Sequence, residues 1–225
     1  MVKLSIVERR SSVDAVVDQL RQGVIHGHMQ PGERITEMEL SAALGIGRST
    51  VRTALLELEK DELVVRKPYS AWAVADISPI KIWEIYTLRG ALEELAIKLA
   101  TESLTEEGRA KLAEAFDLLD KVQRKGLTEQ RTDADLNFHR TIVQLSNHKK
   151  LIKTYESLLL QVEWVYRWSE RQRPTSIHLS DWHRPIYDGI LSGDPAAAVA
   201  ANLNNYAVTL ELDKQQATVA EETGL

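Results

Sequence analysis

Apolar residues near the start of the chain recur every three to four positions, which is the spacing of an amphipathic helix. The first such run begins at about Ser12 and ends near His26, ahead of a turn at Pro31-Gly32. A second, shorter helix is predicted after Thr36, whose hydroxyl can cap it, and Glu39 stands where a capping box places its acidic residue. The chain is therefore expected to start with two helices separated by a turn.

The next segment predicts a third helix and then two strands. The helix opens at residues 48–50, and its leading end is basic and rich in hydroxyl groups. Beyond it, the β-prone runs 63–67 and 71–74 are separated by residues 68–70, which have the composition of a hairpin turn. Three helices followed by a β-hairpin is the order of elements in a winged helix-turn-helix.

Beyond Ser78-Pro79, glycine and proline become sparse, and apolar residues recur at helical spacing for most of the remaining chain. This pattern predicts an all-α antiparallel helical bundle of six helices, so the whole protein is expected to be mainly α. The run Gly193-Asp194-Pro195 combines a C-cap glycine, an N-cap and a first-turn proline, and it predicts a sharp corner before the last helix. The predicted spans after the first helix are 104–126, 129–146, 149–171, 176–192 and 195–217.

The amino-acid composition serves mainly to exclude classes of protein and kinds of site. The 225 residues include 44% hydrophobic and 27% charged residues, as in ordinary globular proteins, and no apolar run approaches the length of a membrane span. The lack of cysteine excludes a thiolate nucleophile, a disulfide framework and a zinc finger, and it fits a reducing compartment. We therefore expect a cytoplasmic protein with two domains, residues 1–75 and 76–225.

The net charge of −5 is distributed unevenly along the chain. Residues 1–75 carry ten basic and ten acidic side chains, which leaves 18 basic and 23 acidic ones for residues 76–225, out of totals of 28 and 33. The acidity therefore belongs to the second domain. A charge summed over the whole chain hides this distribution, so it does not exclude nucleic-acid binding by the first domain.

Arg48 and Arg52 are candidate DNA contacts at the start of the predicted third helix. They lie four residues apart and hence on one helix face, and a helix-turn-helix places the start of its second helix at base edges in the major groove. Arginine suits this position because its guanidinium can bond to guanine O6 and N7, while hydroxyl groups suit phosphate oxygens. The alternative is a solvated helix whose arginines serve only solubility.

Residues 20–74 resemble the GntR family of bacterial transcription regulators. The matching stretches are 25–35 (IHGHMQPGERI), Leu40-Ser41 and 47–55 (GRSTVRTAL). The chain departs from the family pattern at four positions. It has Gly47 where Ser or Thr is usual, Thr50 where Pro is usual, Thr53 where Glu is usual and Glu62 where Gly is usual.

This resemblance implies a DNA-binding surface on the third helix and the wing. It makes Arg48 and Arg52 the DNA-contacting arginines, with Ser49 as a phosphate or base contact and Thr50 in the same first turn. Tyr69 is expected at the tip of the wing, near the minor groove. Double-stranded DNA with a palindromic operator is the implied partner, and the protein is expected to bind it as a homodimer.

Two positions on one predicted helix, and two on the last helical hairpin, could hold a metal ion. Asp135 and His139 are four residues apart, so their side chains project from the same helix face. His183 lies ten residues before Gly193 and Asn205 lies eleven after Asp194, so a fold-back at that corner brings them to the same height. The Asp135–His139 pair alone is equally explained by a surface contact or by a buried histidine with a partner.

The second domain resembles the FCD subgroup of GntR regulators, also called the FadR type, over most of residues 76–212. The stretches that carry this resemblance are 88–93 (LRGALE), 135–139 (DLNFH), 183–186 (HRPI) and Gly193-Asp194. In metal-binding members of the subgroup, one aspartate and three histidines hold a divalent ion at the bottom of the effector cavity.

The resemblance implies that Asp135, His139 and His183 are metal ligands. Asn205 stands where the third histidine is expected, and its amide oxygen is a poorer ligand. Zinc is the ion we expect first and nickel second, because imidazole nitrogens suit borderline first-row metals.

Arg89 is the candidate effector contact. It borders a predicted apolar stripe, so its guanidinium can enter the bundle, where it would need a counter-charge; the alternative is a surface pair with Glu93, four residues on. The corresponding arginine of the subgroup binds the carboxylate of the effector, which implies that role for Arg89, with Glu93 beside it. The stripe consists of Ile85, Leu88, Leu92, Leu95 and Leu99.

A group of aromatic residues lies close in sequence to further arginines. Trp164, Tyr166, Trp168 and Trp182 lie near Arg167, Arg171 and Arg173, and they could cap a ligand cavity or stack with these arginines. Core or dimer packing explains the same residues. Trp164 and Arg167 are retained as candidate effector contacts.

A ligand-responsive transcription regulator, expected to be a repressor, is the leading interpretation. A small carboxylate bound in the second domain would favour one arrangement of the two recognition helices over another. A metal-dependent hydrolase using Asp135, His139 and His183 would need a base for the water proton, and no such base stands at short spacing. A ligand-free DNA-binding scaffold would leave these residues and Arg89 unexplained. We therefore expect no enzymatic activity and no association with a membrane.

Overall fold

The computed structural model describes residues 12–68, 71–125, 128–171 and 179–223, and the chain divides into two compact units between Asp76 and Ile77. Within the described part of the first unit, three helices accompany a small antiparallel sheet. The elements are α1 (Ser12–Ile25), β1 (Arg34–Ile35), α2 (Glu37–Leu44), α3 (Arg48–Lys60), β2 (Val64–Lys67) and β3 (Ala71–Val74).

The core of the first unit forms where α1 packs on α3. Both helices direct apolar residues at helical spacing towards each other, and these side chains are fully buried. Each such aliphatic side chain contributes about 1.5–3 kcal/mol by leaving water. This packing fixes α3 while its opposite face stays exposed. The buried residues of the two helices include Val24, Ile25, Val51, Leu55 and Leu58.

The predicted cap of α2 is present with one difference. The Glu39 backbone N–H donates to Thr36 Oγ1 at 3.2 Å, and the Thr36 hydroxyl in turn donates to Glu39 Oε2 at 2.6 Å. In a capping box the acidic side chain normally accepts from the backbone N–H of the capping residue, whereas here the Glu39 carboxylate accepts from the Thr36 hydroxyl. Gly45, with φ of 66°, ends the helix in the left-handed conformation that favours glycine, and α3 begins three residues later.

The winged helix-turn-helix is confirmed, and its sheet has one strand more than the sequence predicted. The hairpin strands β2 and β3 pair with Val64 opposite Val74, and β1 pairs with the other edge of β3, with Ile35 opposite Trp72. The strand order is β1-β3-β2. A two-residue strand has no alternation to detect, which is why the pattern of apolar residues missed β1.

The second unit is all-α, as predicted. The described segments agree with the expected spans to within a few residues, except that the last helix extends further. Gly126, the predicted stop of the second helix, lies outside the described residues. The helices are α4 (Pro79–Glu102), α5 (Glu106–Arg124), α6 (Thr128–Leu145), α7 (Lys149–Glu170), α8 (Leu179–Ser192) and α9 (Pro195–Thr223). The closest packing joins α4 to α9, α5 to α6 and α8 to α9.

The predicted apolar stripe of α4 is only partly buried. Ile85 is buried and Leu92 packs against the core, whereas Leu88 and Leu95 are 47% and 43% exposed. The charged residues Arg89 and Glu93 occupy inward positions instead, which a count of apolar residues could not reveal. The inward positions include Ile82, Ile85, Tyr86, Arg89, Glu93, Ala96 and Ile97.

The corner between α8 and α9 has the predicted caps. Gly193 has a φ of 76°, and Asp194 Oδ1 accepts a hydrogen bond from the Ala197 N–H at 3.0 Å. At Gly189 an added Cβ would lie 2.8 Å from the Ala198 Cα, so glycine permits the two helices to approach closely. This approach sets the register of the hairpin. Within the described residues, no helix is both long and apolar enough to cross a membrane.

Candidate metal and effector site, and candidate DNA interface

Three predicted ligands from two helices meet inside the second unit. Asp135 and His139 project from α6, and His183 projects from α8, with all three side chains buried. His183 Nε2 lies 2.9 Å from Asp135 Oδ1 and 3.0 Å from His139 Nε2. One ligand atom from each residue thus falls within 4.8 Å of the others.

The donor set and its spacing fit a divalent ion. Ligand atoms bound at about 2.0–2.2 Å lie roughly 2.8–3.6 Å from one another, depending on the coordination angle, and the separations of 2.9 and 3.0 Å at His183 fall within that range. Two imidazole nitrogens with one carboxylate oxygen suit zinc or nickel and do not suit calcium or magnesium, which prefer oxygen ligands alone.

Asn205 lies next to this group, at the height that the helical hairpin predicts. Its Nδ2 is 3.4 Å from His183 Nε2. The two ends of an amide are exchanged by a half-turn of the side chain, and that rotation would direct Oδ1 to the same place. Asn205 can therefore offer an oxygen to the group formed by Asp135, His139 and His183.

Glu93 links the three ligands to the arginine. Its Oε1 accepts hydrogen bonds of 2.7 Å from both Arg89 Nε and the Tyr155 hydroxyl. Its Oε2 lies 3.1 Å from His139 Nδ1. A carboxylate on Nδ1 favours the tautomer that leaves Nε2 free to act as a ligand, which is the usual outer-shell arrangement of metal-binding histidines. Glu93 therefore positions both His139 and Arg89.

The electrostatics of the cluster keep its carboxylates ionised. Burial alone would raise the pKa of Glu93, but Arg89 and His139 outweigh it and hold this pKa far below its ordinary value. Burial likewise opposes the ionisation of Asp135, and His183, His139 and Arg89 overcome it, lowering the pKa to about 2. Burial lowers the pKa of His139 despite the nearby Glu93, which favours the neutral imidazole that a metal requires.

A small cavity of about 10 Å³, the room needed by about one water molecule, lies beside Arg89, Asp135 and His183. Arg89 is paired with Glu93, with Nε 2.7 Å from Glu93 Oε1, and both side chains are buried in the interior of the bundle. Arg89 Nη2 lies 3.9 Å from Asp135 Oδ2. The guanidinium thus enters the bundle, and Glu93 supplies the counter-charge that it needs there. The remaining walls are mostly aromatic: Tyr86, Tyr166, Trp182 and Tyr206, together with Glu93 and Asn205.

Sequence reasoning missed three tyrosines of this region. Tyr86 precedes Arg89 by one helical turn, Tyr206 follows Asn205, and Tyr155 bonds Glu93 from α7. The spacing of Tyr86 and the adjacency of Tyr206 were available signals. Only tertiary packing could reveal Tyr155, because it lies more than two helical turns before Trp164 and Arg167, the candidates that the sequence offered on the same helix.

Two of the predicted effector contacts do not line the cavity. Trp164 is fully buried elsewhere, with the Lys81 ammonium 5.0 Å from its ring centroid. Arg167 forms ion pairs with Glu163 and Asp133. Trp182 and Tyr166 are the members of the aromatic group that reach the cavity.

The candidate DNA interface lies on the exposed face of α3. Arg48, Ser49 and Arg52 are exposed there, and Thr50 is half-buried. Gly47 stands at the N-cap and offers no side-chain cap, consistent with the missing hydroxyl noted in the sequence. Tyr69 lies outside the described residues.

Two family profiles match the chain. The profile described as "Bacterial regulatory proteins, gntR family" matches residues 12–74, and the FCD domain profile matches residues 84–206, more than half of the chain.

Similar proteins match nearly the whole length. The chain is 28% identical over 197 residues to the Bacillus subtilis (strain 168) "Uncharacterized HTH-type transcriptional regulator YdhC", covering 84% of this chain and 86% of that protein. It is 24% identical over 211 residues to the "Probable D-xylose utilization operon transcriptional repressor" of Paenarthrobacter nicotinovorans, covering 92% of both. Among solved structures, E. coli McbR/YncC shares the fold with a TM-score of 0.75 and 23% identity, covering 92% of this chain and 99% of that one.

Proposed function

Because the chain belongs to the GntR family of bacterial transcription regulators and carries an FCD domain, we propose that its second unit senses a small carboxylate and thereby controls DNA binding by the first. The protein is a DNA-binding regulator and not an enzyme. Residues 1–75 bind the operator and residues 76–225 bind the effector and form the dimer. Repression is the expected mode of action, since similar proteins carry the name repressor.

One observation carries the proposal for the second unit: the buried Arg89 lines one cavity together with two of the potential metal ligands, Asp135 and His183. The third, His139, lies directly behind them, with its Nε2 3.0 Å from His183 Nε2. Asp135, His139 and His183 would hold a divalent ion, zinc before nickel, with Asn205 or a water in a further position. Such an ion would supply a Lewis-acidic site for a carboxylate oxygen. Arg89 would bind the same carboxylate through its guanidinium.

The charges of the cluster favour this combination. With neutral imidazoles, Arg89, Glu93 and Asp135 sum to a net charge of −1, which repels an anion in a buried site. A divalent ion changes that sum to +1, and one carboxylate then neutralises it. We therefore expect the effector to bind only to the metal-loaded protein.

The outer face of α4 supports the proposal of a homodimer. Trp83 is 44% exposed, Leu88 47% and Leu95 43%, and Ile80 extends the same side of the helix towards its start with 61% exposure. Large exposed apolar side chains grouped on one helix mark a candidate interaction surface. A second copy is the occupant that a palindromic operator requires.

The proposal is tested with a panel of sugar acids, hydroxy acids and aromatic acids. Melting temperatures are measured for the zinc-loaded and the chelator-treated protein, and active acids are then added to gel shifts with DNA from upstream of the protein's own coding region. A stabilising acid should act only on the zinc-loaded protein and should lose its effect in Arg89→Lys, which keeps the charge but not the planar fork. Arg140→Lys, on the exposed face of α6, is the matched control. The proposal is wrong if no acid of the panel shifts the melting temperature of the loaded protein.

A further inference from the structure

A half-buried carboxylate holds one of the two candidate DNA-reading arginines in place. Arg52 Nε donates to Glu37 Oε1 at 2.7 Å and Arg52 Nη2 donates to Glu37 Oε2 at 2.8 Å, so the contact is bidentate and side-on. The side chain of Glu37 is only 14% exposed, whereas that of Arg52 is 60% exposed. Glu37 thus holds the Nε edge of the guanidinium, while the Arg52 side chain remains exposed at the surface.

The same carboxylate connects three elements of the winged helix-turn-helix. Glu37 is the first residue of α2, Arg52 lies in the second turn of α3, and the indole Nε1 of Trp72 on β3 donates to Glu37 Oε1 at 3.5 Å. The Arg66 guanidinium on β2 lies 5.1 Å from the Trp72 ring centroid. The bond from Arg52, opposed by a smaller effect of burial, keeps the pKa of Glu37 below its ordinary value.

The geometry of this pair limits what Arg52 can do. A guanidinium has five N–H groups in one plane, and the side-on contact uses those of Nε and one of Nη2. The end-on pair on Nη1 and Nη2 is not used by Glu37, and its spacing matches O6 and N7 of guanine. The adjacent carboxylate also neutralises Arg52 and repels phosphate, which weakens a purely electrostatic contact with the DNA backbone.

We infer that Glu37 is a positioning and specificity-determining residue: it orients Arg52 for a base and prevents it from acting as a general phosphate contact. The inference rests on the proposed DNA-binding role of Arg52. Pre-ordering a long side chain also reduces the entropy lost when it meets its base. Removing Glu37 should therefore weaken discrimination between sequences while strengthening binding to unrelated DNA.

The test compares Glu37→Gln with Glu39→Gln, which removes the same charge from the same helix but leaves Arg52 paired. A preferred duplex is first selected by the wild-type full-length protein from a randomised double-stranded DNA library. Affinities for that duplex and for a scrambled duplex of equal composition are then measured by fluorescence anisotropy at several salt concentrations. Melting temperatures check that each variant is folded.

In Glu37→Gln the ratio of the two affinities should fall about tenfold, and the scrambled duplex should bind more tightly with a salt slope steeper by about one per protomer. Glu39→Gln should keep the wild-type ratio. In an Arg52→Ala background, Glu37→Gln should change the ratio no further. If Glu37→Gln fails to fold, Glu37→Asp takes its place, because the shorter carboxylate keeps the charge but cannot hold both nitrogens.

Two results separate this inference from the proposal beneath it. If Arg52→Ala leaves the affinity ratio unchanged, Arg52 does not read bases and the proposed role of Arg52 is wrong. If Arg52→Ala lowers the ratio but Glu37→Gln matches Glu39→Gln, Arg52 reads DNA without help and the inference about Glu37 is overturned. An equal loss of affinity for both duplexes in Glu37→Gln overturns it as well.

Discussion

The Nε2 atoms of His139 and His183 lie 3.0 Å apart, on rings that are 2% and 1% exposed. Two imidazole nitrogens at this distance must share a proton or a cation, because two facing lone pairs repel each other. Asp135 Oδ1, at 2.9 Å from His183 Nε2, adds negative charge at the same point. A divalent ion would satisfy all three atoms at once.

Zinc or nickel should therefore raise the melting temperature of the protein, and a chelator should lower it again. Binding to the folded state alone stabilises by about 2.7 kcal/mol when the free ion is at 100 times its dissociation constant. His139→Ala should abolish the effect, while His26→Ala, on the exposed end of the first unit, should retain it. Elemental analysis that finds no near-stoichiometric metal after incubation with either ion would contradict the prediction.

Asn205→His should tighten metal binding. The substitution places a third imidazole beside His183, where the amide now lies 3.4 Å away, and thereby supplies a stronger ligand. We expect a gain of about tenfold, equivalent to about 1.4 kcal/mol, measured by competition with a chromophoric chelator. Asn204→His, one position earlier and exposed, is the control. Equal affinity in both variants would place Asn205 outside the coordination sphere.

The sequence predicted the fold class well because most helices obey local rules. The corner at Gly193 and Asp194 and the cap at Thr36 depend on residues within one turn of the chain, so they are visible in the sequence. The orientation of α4 was not visible in the sequence, because Arg89 and Glu93 are buried against Asp135 of α6 and Tyr155 of α7. A charged pair looks like a solvated face until its tertiary partners are known.

The residues of the candidate site likewise fall into those that helical spacing predicted and those that only tertiary packing could reveal. Asp135 and His139 share a face by helical spacing, and the hairpin arithmetic placed His183 beside Asn205, so these relations followed from the chain itself. Proximity in sequence misled at Trp164 and Arg167. Trp164 is buried beside Lys81 and Arg167 is paired with Glu163 and Asp133, and only the packing shows that the neighbouring Tyr166 reaches the cavity.

Arg48→Ala and Arg52→Ala should each weaken operator binding by about 1–3 kcal/mol while the fold stays intact. The loss should be larger on the preferred duplex than on a scrambled one if the side chain contacts a base, and equal on both if it contacts phosphate. Arg124→Ala, exposed on α5 of the other unit, is the control for lost charge. Unchanged affinity in both α3 variants would exclude α3 as the recognition helix.

Leu88→Glu and Leu95→Glu should convert the protein from a dimer to a monomer. Each places a charge in the exposed apolar stripe of α4, where a partner helix would have to bury it. The comparison is Leu118→Glu on α5, because Leu118 and Leu95 are equally exposed at 43%. Sedimentation at micromolar concentration should give twice 25.4 kDa for the wild type and for Leu118→Glu. A wild-type mass near 25.4 kDa with full DNA binding would rule out an obligate dimer.

Glu62→Gly should stabilise the first unit. Glu62 follows α3 with a φ of 58°, and its N–H bonds Glu59 O at 3.1 Å, so it closes the helix in a conformation that suits glycine. Relief of the left-handed strain is worth about 1–2 kcal/mol, and the extra flexibility of glycine in the unfolded chain offsets about half of it. Calorimetry should therefore show a net gain of about 0.5–1 kcal/mol. Asn147→Gly, at a φ of 52°, should gain less, because asparagine tolerates this region. Equal gains at the two positions would mean that flexibility, and not the side chain of Glu62, sets the energy of this turn.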